Sequence, residues 1–189
     1  MREQRKIRVQ QNNLTIRSAE VTDAELLTTW WNDGTVMAHA GFPNGLNQSL
    51  EETMEQVKSN ESRISQLCII EVSGVRIGEM NYRIGNRFAE IGIKICDTSY
   101  QSQGLGSKFI TMLIEFLFTD KALNNAVPID KIILDTNLVN ERAMHVYEKI
   151  GFLKIRVNEA AWRDQLGKVQ SSVDYEMTRE RYLLCRSQW

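Results

Sequence analysis

Two short stretches of this chain combine residue types at spacings that could do chemistry. In Gln101-Ser102-Gln103-Gly104-Leu105-Gly106, two glycines stand just before an apolar run that reads as a helix. Glycine lets backbone amides approach a ligand closely, and the free N–H groups at a helix start carry partial positive charge. Together they make an anion site suited to a phosphate. Neither common nucleotide loop fits. A Walker loop needs Gly-Lys-Ser/Thr where the chain has Gly106-Ser107-Lys108, and a dinucleotide fingerprint needs a third glycine where it has Phe109. The second stretch is Asn140–Phe152. Asn140 suits a helix N-cap, Ala143, Val146, Tyr147 and Ile150 form an apolar face, and Gly151 suits a left-handed C-cap. An ordinary amphipathic helix accounts for each of these positions, but not for a tyrosine in mid-face followed by Gly-Phe.

The elements that must position these stretches are read from periodicity. Leu14–Ala19 reads as a strand, and Thr22 with Glu25 as a capping box ahead of a helix carrying Leu26, Leu27 and Trp30. Gly34, Gly41, Pro43 and Gly45 mark a loop, followed by a helix over Ser49–Asn60. From Gln66 the period becomes that of strands: Leu67–Val72 and Val75–Ile84 flank a hairpin turn at Ser73-Gly74, and Phe88–Cys96 is the next antiparallel strand. The apolar helix Gly104–Thr119 leads through a loop at Asn124–Pro128 to the strand Lys131–Thr136 and the helix Glu141–Ile150. Strands Phe152–Val157 and Ser172–Thr178 follow, separated by a polar connection over Asn158–Gln170. The order β-α-α-β-β-β-α-β-α-β-β predicts an α/β (α+β) fold. Its sheet is mixed and mostly antiparallel, with six to seven strands flanked by about four helices. The length of 189 residues suits one domain, 1–189, with residues 1–12 as a polar N-terminal arm.

Composition narrows the partners. A formal net charge of −1 provides no global basic field, so neither nucleic acid nor a membrane surface is expected as partner. Cys68, Cys96 and Cys185 are far apart, and His39 and His145 lie in unrelated segments, so no metal site and no disulfide framework is expected. The charged start Met1–Lys6 does not read as a secretory signal. Lys108 and Glu115 interrupt the most apolar helix, which is too short to span a bilayer. These features predict a soluble, cytoplasmic protein.

Gln101–Gly106 resembles the Gln/Arg-x-x-Gly-x-Gly/Ala pyrophosphate loop of the GCN5-related N-acetyltransferase (GNAT) superfamily. Asn140–Phe152 resembles a second motif of that family, Asn-x-x-Ala-x-x-x-Tyr-x-x-x-Gly-Phe, in the required order. The resemblance covers roughly residues 14–180. It implies a GNAT-type sheet and an acetyl-CoA-dependent N-acetyltransferase that needs no metal. Acetyl passes directly to a primary amine through a tetrahedral intermediate. Gly104–Lys108, Leu117-Phe118 and Tyr147–Phe152 look most like the aminoglycoside 6′-N-acetyltransferases, which implies a small aminoglycoside- or polyamine-like acceptor. Two alternatives stay open: a protein N-terminal acetyltransferase of the ribosomal-protein type, and a non-catalytic acyl-CoA-binding sensor. Family members are often homodimers.

The resemblance also implies roles. Gln101, Ser102, Gln103, Gly104, Leu105, Gly106 and Ser107 would cradle the pyrophosphate of acetyl-CoA. Asn140 would join the cofactor site, and pantetheine would pair with the backbone of Lys94, Ile95 and Cys96. The strand that follows Gly151-Phe152 would diverge from the one before the glycine loop to make room for it. Tyr147 would come near the thioester sulfur and serve as general acid, with amides near Ile95 as oxyanion donors. Glu90, facing with Gly92 and Lys94 by strand alternation, would be the general base, and Glu79 its substitute. Trp30, Asp33 and Glu79 would contact the acceptor. Its pocket would come from Trp30–Phe42, the Ser49 helix and Ala160-Ala161-Trp162-Arg163, with Glu51, Glu52 and Glu55 as further acidic lining. Trp30 and Trp31 are not expected to face the core together, which leaves one as an aromatic wall. His39 and His145 have no identifiable partner and receive no role.

Overall fold

Tight turns set the first half of the sheet in the computed structural model, which describes residues 6–59 and 64–189. Ser73 and Gly74 both adopt positive φ (51° and 80°), the conformation a two-residue hairpin needs, and they join β3 (Ser65–Val72) to β4 (Val75–Ile84). Gly85–Arg87 then turns the chain into β5 (Phe88–Ile95). With β1 (Arg8–Gln11), β2 (Leu14–Ser18), β6 (Lys131–Asn137), β7 (Leu153–Arg163) and β8 (Val169–Thr178), these form one eight-stranded sheet in the order β1-β2-β3-β4-β5-β6-β8-β7. Every pairing is antiparallel except that of β5 with β6.

The two faces are covered by different helices. α4 (Leu105–Thr119) is the crossover that parallel β5 and β6 require, and eight of its residues, Phe109, Leu113 and Leu117 among them, are buried. Together with α6 (Glu141–Ile150) it shares a core with Met80, Tyr82, Ile91, Ile132 and Tyr175. On the opposite face α1 (Ala24–Asn32) and α3 (Leu50–Ser59) enclose a second core of Leu27, Trp30, Trp31 and Val57 against Leu67, Ile69 and Cys96. The short α2 (Gly34–Met37) follows α1, α5 (Lys121–Ala126) follows α4, and α7 (Arg179–Cys185) ends the fold. No helix among the described residues is long and apolar enough to cross a membrane.

The sheet opens in one place. β5 and β6 pair only at Phe88↔Lys131, Ala89↔Ile132 and Glu90↔Ile133. Beyond these pairs β4 holds β5 as far as Ile95, while β8 holds β6 as far as Asn137. Each strand therefore follows its other neighbour, and a gap widens toward their carboxyl ends. The family resemblance put such a divergence between β5 and the strand after Gly151-Phe152; the structure places it between β5 and β6, and that later strand, β7, lies at the far edge beyond β8.

Several elements depart from the sequence reading. The sheet has eight strands rather than six to seven, because residues 8–11 of the expected polar arm pair with β2; residues 1–5 lie outside the described residues. An edge strand with only Val9 half-buried against the core, and Arg8, Gln10 and Gln11 exposed, carries too little alternation to read. The polar connection Asn158–Gln170 is mostly strand, since β7 and β8 extend to a short tip after Arg163, and bulges on β7 blur its period. Asn124–Ala126 ends helix α5, capped by Asp120, whose carboxylate accepts from the Leu123 amide. The capping pair lies two residues before the expected one, on the 3-10 turn Val21–Asp23 that leads into α1: Asp23, not Glu25, accepts from the Glu20 amide, and Arg17 holds it there with two hydrogen bonds.

Candidate active site

The glycine loop stands at the open end of the gap. Gly104 is the N-cap of α4 with φ 73°, Ser102 before it has φ 61°, and no side chain caps the first turn. A Cβ on Gly104 would meet nothing within 4 Å, and one on Gly106 only Ile95 Cδ1 at 3.9 Å, so the loop presents bare backbone to the cleft. Uncapped N–H groups at the start of a fifteen-residue helix favour an anion there. Gln101 turns inward, donating from Nε2 to the Ile95 carbonyl at 2.9 Å, while its Oε1 accepts from Arg142 at 3.4 Å. Gln103 is the member of the expected loop that faces away; its amide donates to the Ser99 carbonyl, and it does not line the cleft.

A cleft of about 870 Å³ runs from this loop through the gap. Beyond Glu90 the edge of β5 that faces β6 has no neighbouring strand, which suits an extended ligand with amides of its own, although the Ile95 carbonyl is taken by Gln101. Lys94 and Ile95 line the cleft, but Cys96 does not. Its side chain is buried in the second core, which pushes its thiol up to about 12. Asn140 caps α6 by accepting from the Ala143 amide at 3.2 Å and lies on the cleft wall beside Tyr147.

Tyr147 projects from α6 into the gap from the α4 side. Its ring is 7% exposed and packs edge-on against Phe152 and Tyr175, with centroids 6.1 and 5.6 Å away. Its hydroxyl bonds to no other group among the described residues. Burial, and then the nearby charge of Asp135, push the phenol up to about 12, so it carries its proton at neutral pH.

On the opposite side of the sheet the carboxylates sort differently from expectation. Glu90 sits at the last paired position before the strands part, at the closed end of the gap and outside the cleft. Its carboxylate instead accepts from Arg83 at 2.6 Å. Glu79 lines the cleft, but it is only 3% exposed and both oxygens are engaged, by Lys94 Nζ at 2.5 Å and Trp31 Nε1 at 2.8 Å. Asp135 was not singled out from the sequence. It lies on β6 two residues past the last pair with β5, lines the cleft, and has no ion pair among the described residues. Desolvation, followed by Asp174 and Glu90, holds its carboxyl above the ordinary carboxylate range.

The cleft's other end is walled by α2 and by the β7–β8 hairpin. Asp33 lines it while capping α2 through the Thr35 amide. Trp162 from the hairpin lies so close to Gly41 that a Cβ there would stand 2.3 Å from the indole. Gln165 at the hairpin tip donates to the carbonyls of Gly41 and Gly45 and accepts from the Asn44 amide, latching tip to loop. Both histidines line the cleft too. Trp30 is a correction: it and Trp31 are both buried, at 8% and 4%, because α3 covers the flank of α1 that the sheet leaves free. Glu51, Glu52 and Glu55 are likewise off the cleft; Glu52 bonds the Ser49 amide and Glu55 pairs with Lys58.

With this geometry established, similarity to known proteins is informative. Residues 13–153 match the model of an acetyltransferase (GNAT) domain. No curated protein matches the chain in sequence. Among solved structures it resembles RimL, a ribosomal L7/L12 alpha-N-protein acetyltransferase in complex with coenzyme A. That likeness has TM-score 0.79 at 17% identity, over 91% of this chain and 98% of the other. It also resembles spermidine N-acetyltransferase from Vibrio cholerae in complex with CoA and spermine, with TM-score 0.78 at 22% identity, over 90% and 98%. The microcin C7 self-immunity acetyltransferase MccE, in complex with acetyl-CoA and AMP, aligns with TM-score 0.74 at 15% identity, over 89% and 93%. At such identities the likeness is one of fold.

Proposed function

The chain belongs to the GNAT acetyltransferase family, and from that premise we propose that it moves the acetyl group of acetyl-CoA directly to a primary amine of a small molecule. The observation that carries this reading is the gap itself. It has an anion-binding helix start at one end, unpaired strand backbone along one edge, and Tyr147 and Asp135 entering from opposite faces. Pyrophosphate at Ser102–Ser107 and pantetheine along β5 would bring the thioester between those two side chains.

The chain's own groups then divide the work. Asp135, whose carboxyl is lifted above the usual carboxylate range by burial and neighbouring acids, takes a proton from the incoming ammonium. This replaces the role expected for Glu90. Backbone amides of β5 that point into the gap steady the oxyanion. Tyr147 gives its proton to the departing sulfur. A phenol near 12 is a weak acid, but a thiolate expelled into a gap poor in water is a stronger base than it is in bulk solvent.

A protein N-terminus is the second reading. It is favoured by the mixed charge of the acceptor end, where Lys94 neutralises Glu79 and leaves few carboxylates for a polycation. Thiol release from acetyl-CoA, measured with spermidine, kanamycin and short N-terminal peptides, separates the two. Release with spermidine or kanamycin alone supports the small-molecule reading, and release with peptides alone supports the other. Acetyl-CoA binding without release on any amine would establish a sensor instead.

A further inference from the structure

Gly92 sits in the middle of β5 on the acceptor face, and its φ is not in the left-handed region, so the backbone there does not demand glycine. Its register partner on β4 is Asn81. A Cβ on Gly92 would stand 3.0 Å from Asn81 Nδ2 and 3.2 Å from Oδ1, so the carboxamide lies across the space a side chain would fill. The Asn81 side chain makes no hydrogen bond among the described residues. Across the gap stands Asp135, two residues beyond the last β5–β6 pair just as Gly92 is. The next residue of β5 on the same face, Lys94, is tied to Glu79. The result is a notch: a glycine floor walled by an uncommitted carboxamide, an unpaired carboxylate and a locked ion pair, opening into the cleft.

We propose that this notch over Gly92 is the subsite for the reacting nitrogen of the acceptor, with Asn81 orienting it. The inference rests on the acetyl-transfer reading and adds to it the residues that position the reacting nitrogen. Asn81 Oδ1 accepts one N–H and Asp135 accepts the proton that frees the lone pair, while the absence of a side chain on Gly92 lets the nitrogen approach beside the carboxamide. The lone pair forms the C–N bond to the thioester carbonyl carbon. The C–S bond breaks with its electron pair on sulfur, Tyr147 supplies that sulfur's proton, and the last surplus proton on nitrogen leaves to solvent. The products are an N-acetyl amide and a free thiol.

The test compares Gly92→Ala, Asn81→Ala and the double variant with the wild type. The acceptor is whichever of spermidine, kanamycin and a short N-terminal peptide the wild type turns over fastest, and acetyl-CoA affinity is followed by calorimetry. Because the atoms a Cβ meets belong to the end of a flexible side chain, Gly92→Ala is expected to fold, with a melting temperature near that of the wild type. It should raise KM for the amine at least tenfold while acetyl-CoA affinity stays within twofold. Asn81→Ala should lower kcat/KM for the amine about tenfold, again without change in cofactor affinity. The double variant should keep the high amine KM, since removing Asn81 relieves crowding but leaves the notch filled. A wild-type amine KM in Gly92→Ala, or its return in the double variant, would overturn the notch alone. Acetyl-CoA binding with no turnover by the wild type would overturn acetyl transfer and the notch with it.

Discussion

The two sides of the β5–β6 gap are built by different means. On the side of α4 and α6 the site is made largely of backbone: a bare helix start, two positive-φ residues and an unpaired strand edge, supplied by short contiguous runs. On the side of α1–α3 it is made of side chains from distant segments: Asn81, Asp135, the Glu79–Lys94 pair, and Trp162 held by the Gln165 latch. Backbone can hold groups common to every use of one cofactor, whereas side chains set which acceptor enters. The first side should therefore fail through cofactor affinity, and the second through amine kinetics.

Substitutions on the two sides can break or sharpen that contrast. The largest effect is expected where the sides meet. Tyr147→Phe keeps the ring packing but removes the proton, and should lower kcat about 10²-fold or more with acetyl-CoA affinity unchanged. An equal rise in the cofactor dissociation constant would make the hydroxyl a binding group rather than an acid. Gly104→Val meets no steric obstacle but must hold a β-branched residue at φ 73°, a cost of about 1–2 kcal/mol. Calorimetry should show acetyl-CoA binding weakened by about tenfold, with the amine KM little altered.

Smaller effects belong to the acceptor side. If Asp135 is the base, the rate falls as pH drops through its raised pKa, because protonation disables it. Glu90 is one of the charges that raises that pKa, so Glu90→Gln should move the acid limb of the kcat/KM profile to lower pH. The plateau rate should stay within a few-fold of wild type; collapse of the plateau would return Glu90 to the chemistry. The mildest change is Gln165→Ala, which loosens the hairpin latch from the outside. Amine KM should shift a few-fold, and the Asn44 amide should lose protection from hydrogen exchange, while acetyl-CoA affinity holds.

The same contrast explains what was legible in the sequence. Gln101–Gly106 and Asn140–Phe152 are contiguous, and the helices they begin and end lie where periodicity put them. Asp135 is a single acid inside Lys131–Asn137, and nothing local distinguishes it from a solvated strand residue. Glu90 drew attention by being near the cofactor strand, but only the register shows that the gap opens just after it. Trp30 was misread because a helix was given one buried side, while α3 supplies a second. The hairpin tip touches the 41–45 loop across more than a hundred residues, a contact with no local trace.

The most direct measurement is thiol release from acetyl-CoA as a function of amine concentration, for the wild type and for Asp135→Asn, with the acetylated amine identified by mass. Acetyl transfer in the gap predicts saturable, amine-dependent release by the wild type, with one acetyl group on the amine per thiol. It also predicts a loss of about 10²-fold or more in Asp135→Asn at unchanged acetyl-CoA affinity. Wild-type turnover by Asp135→Asn, or release that ignores the amine, would contradict it.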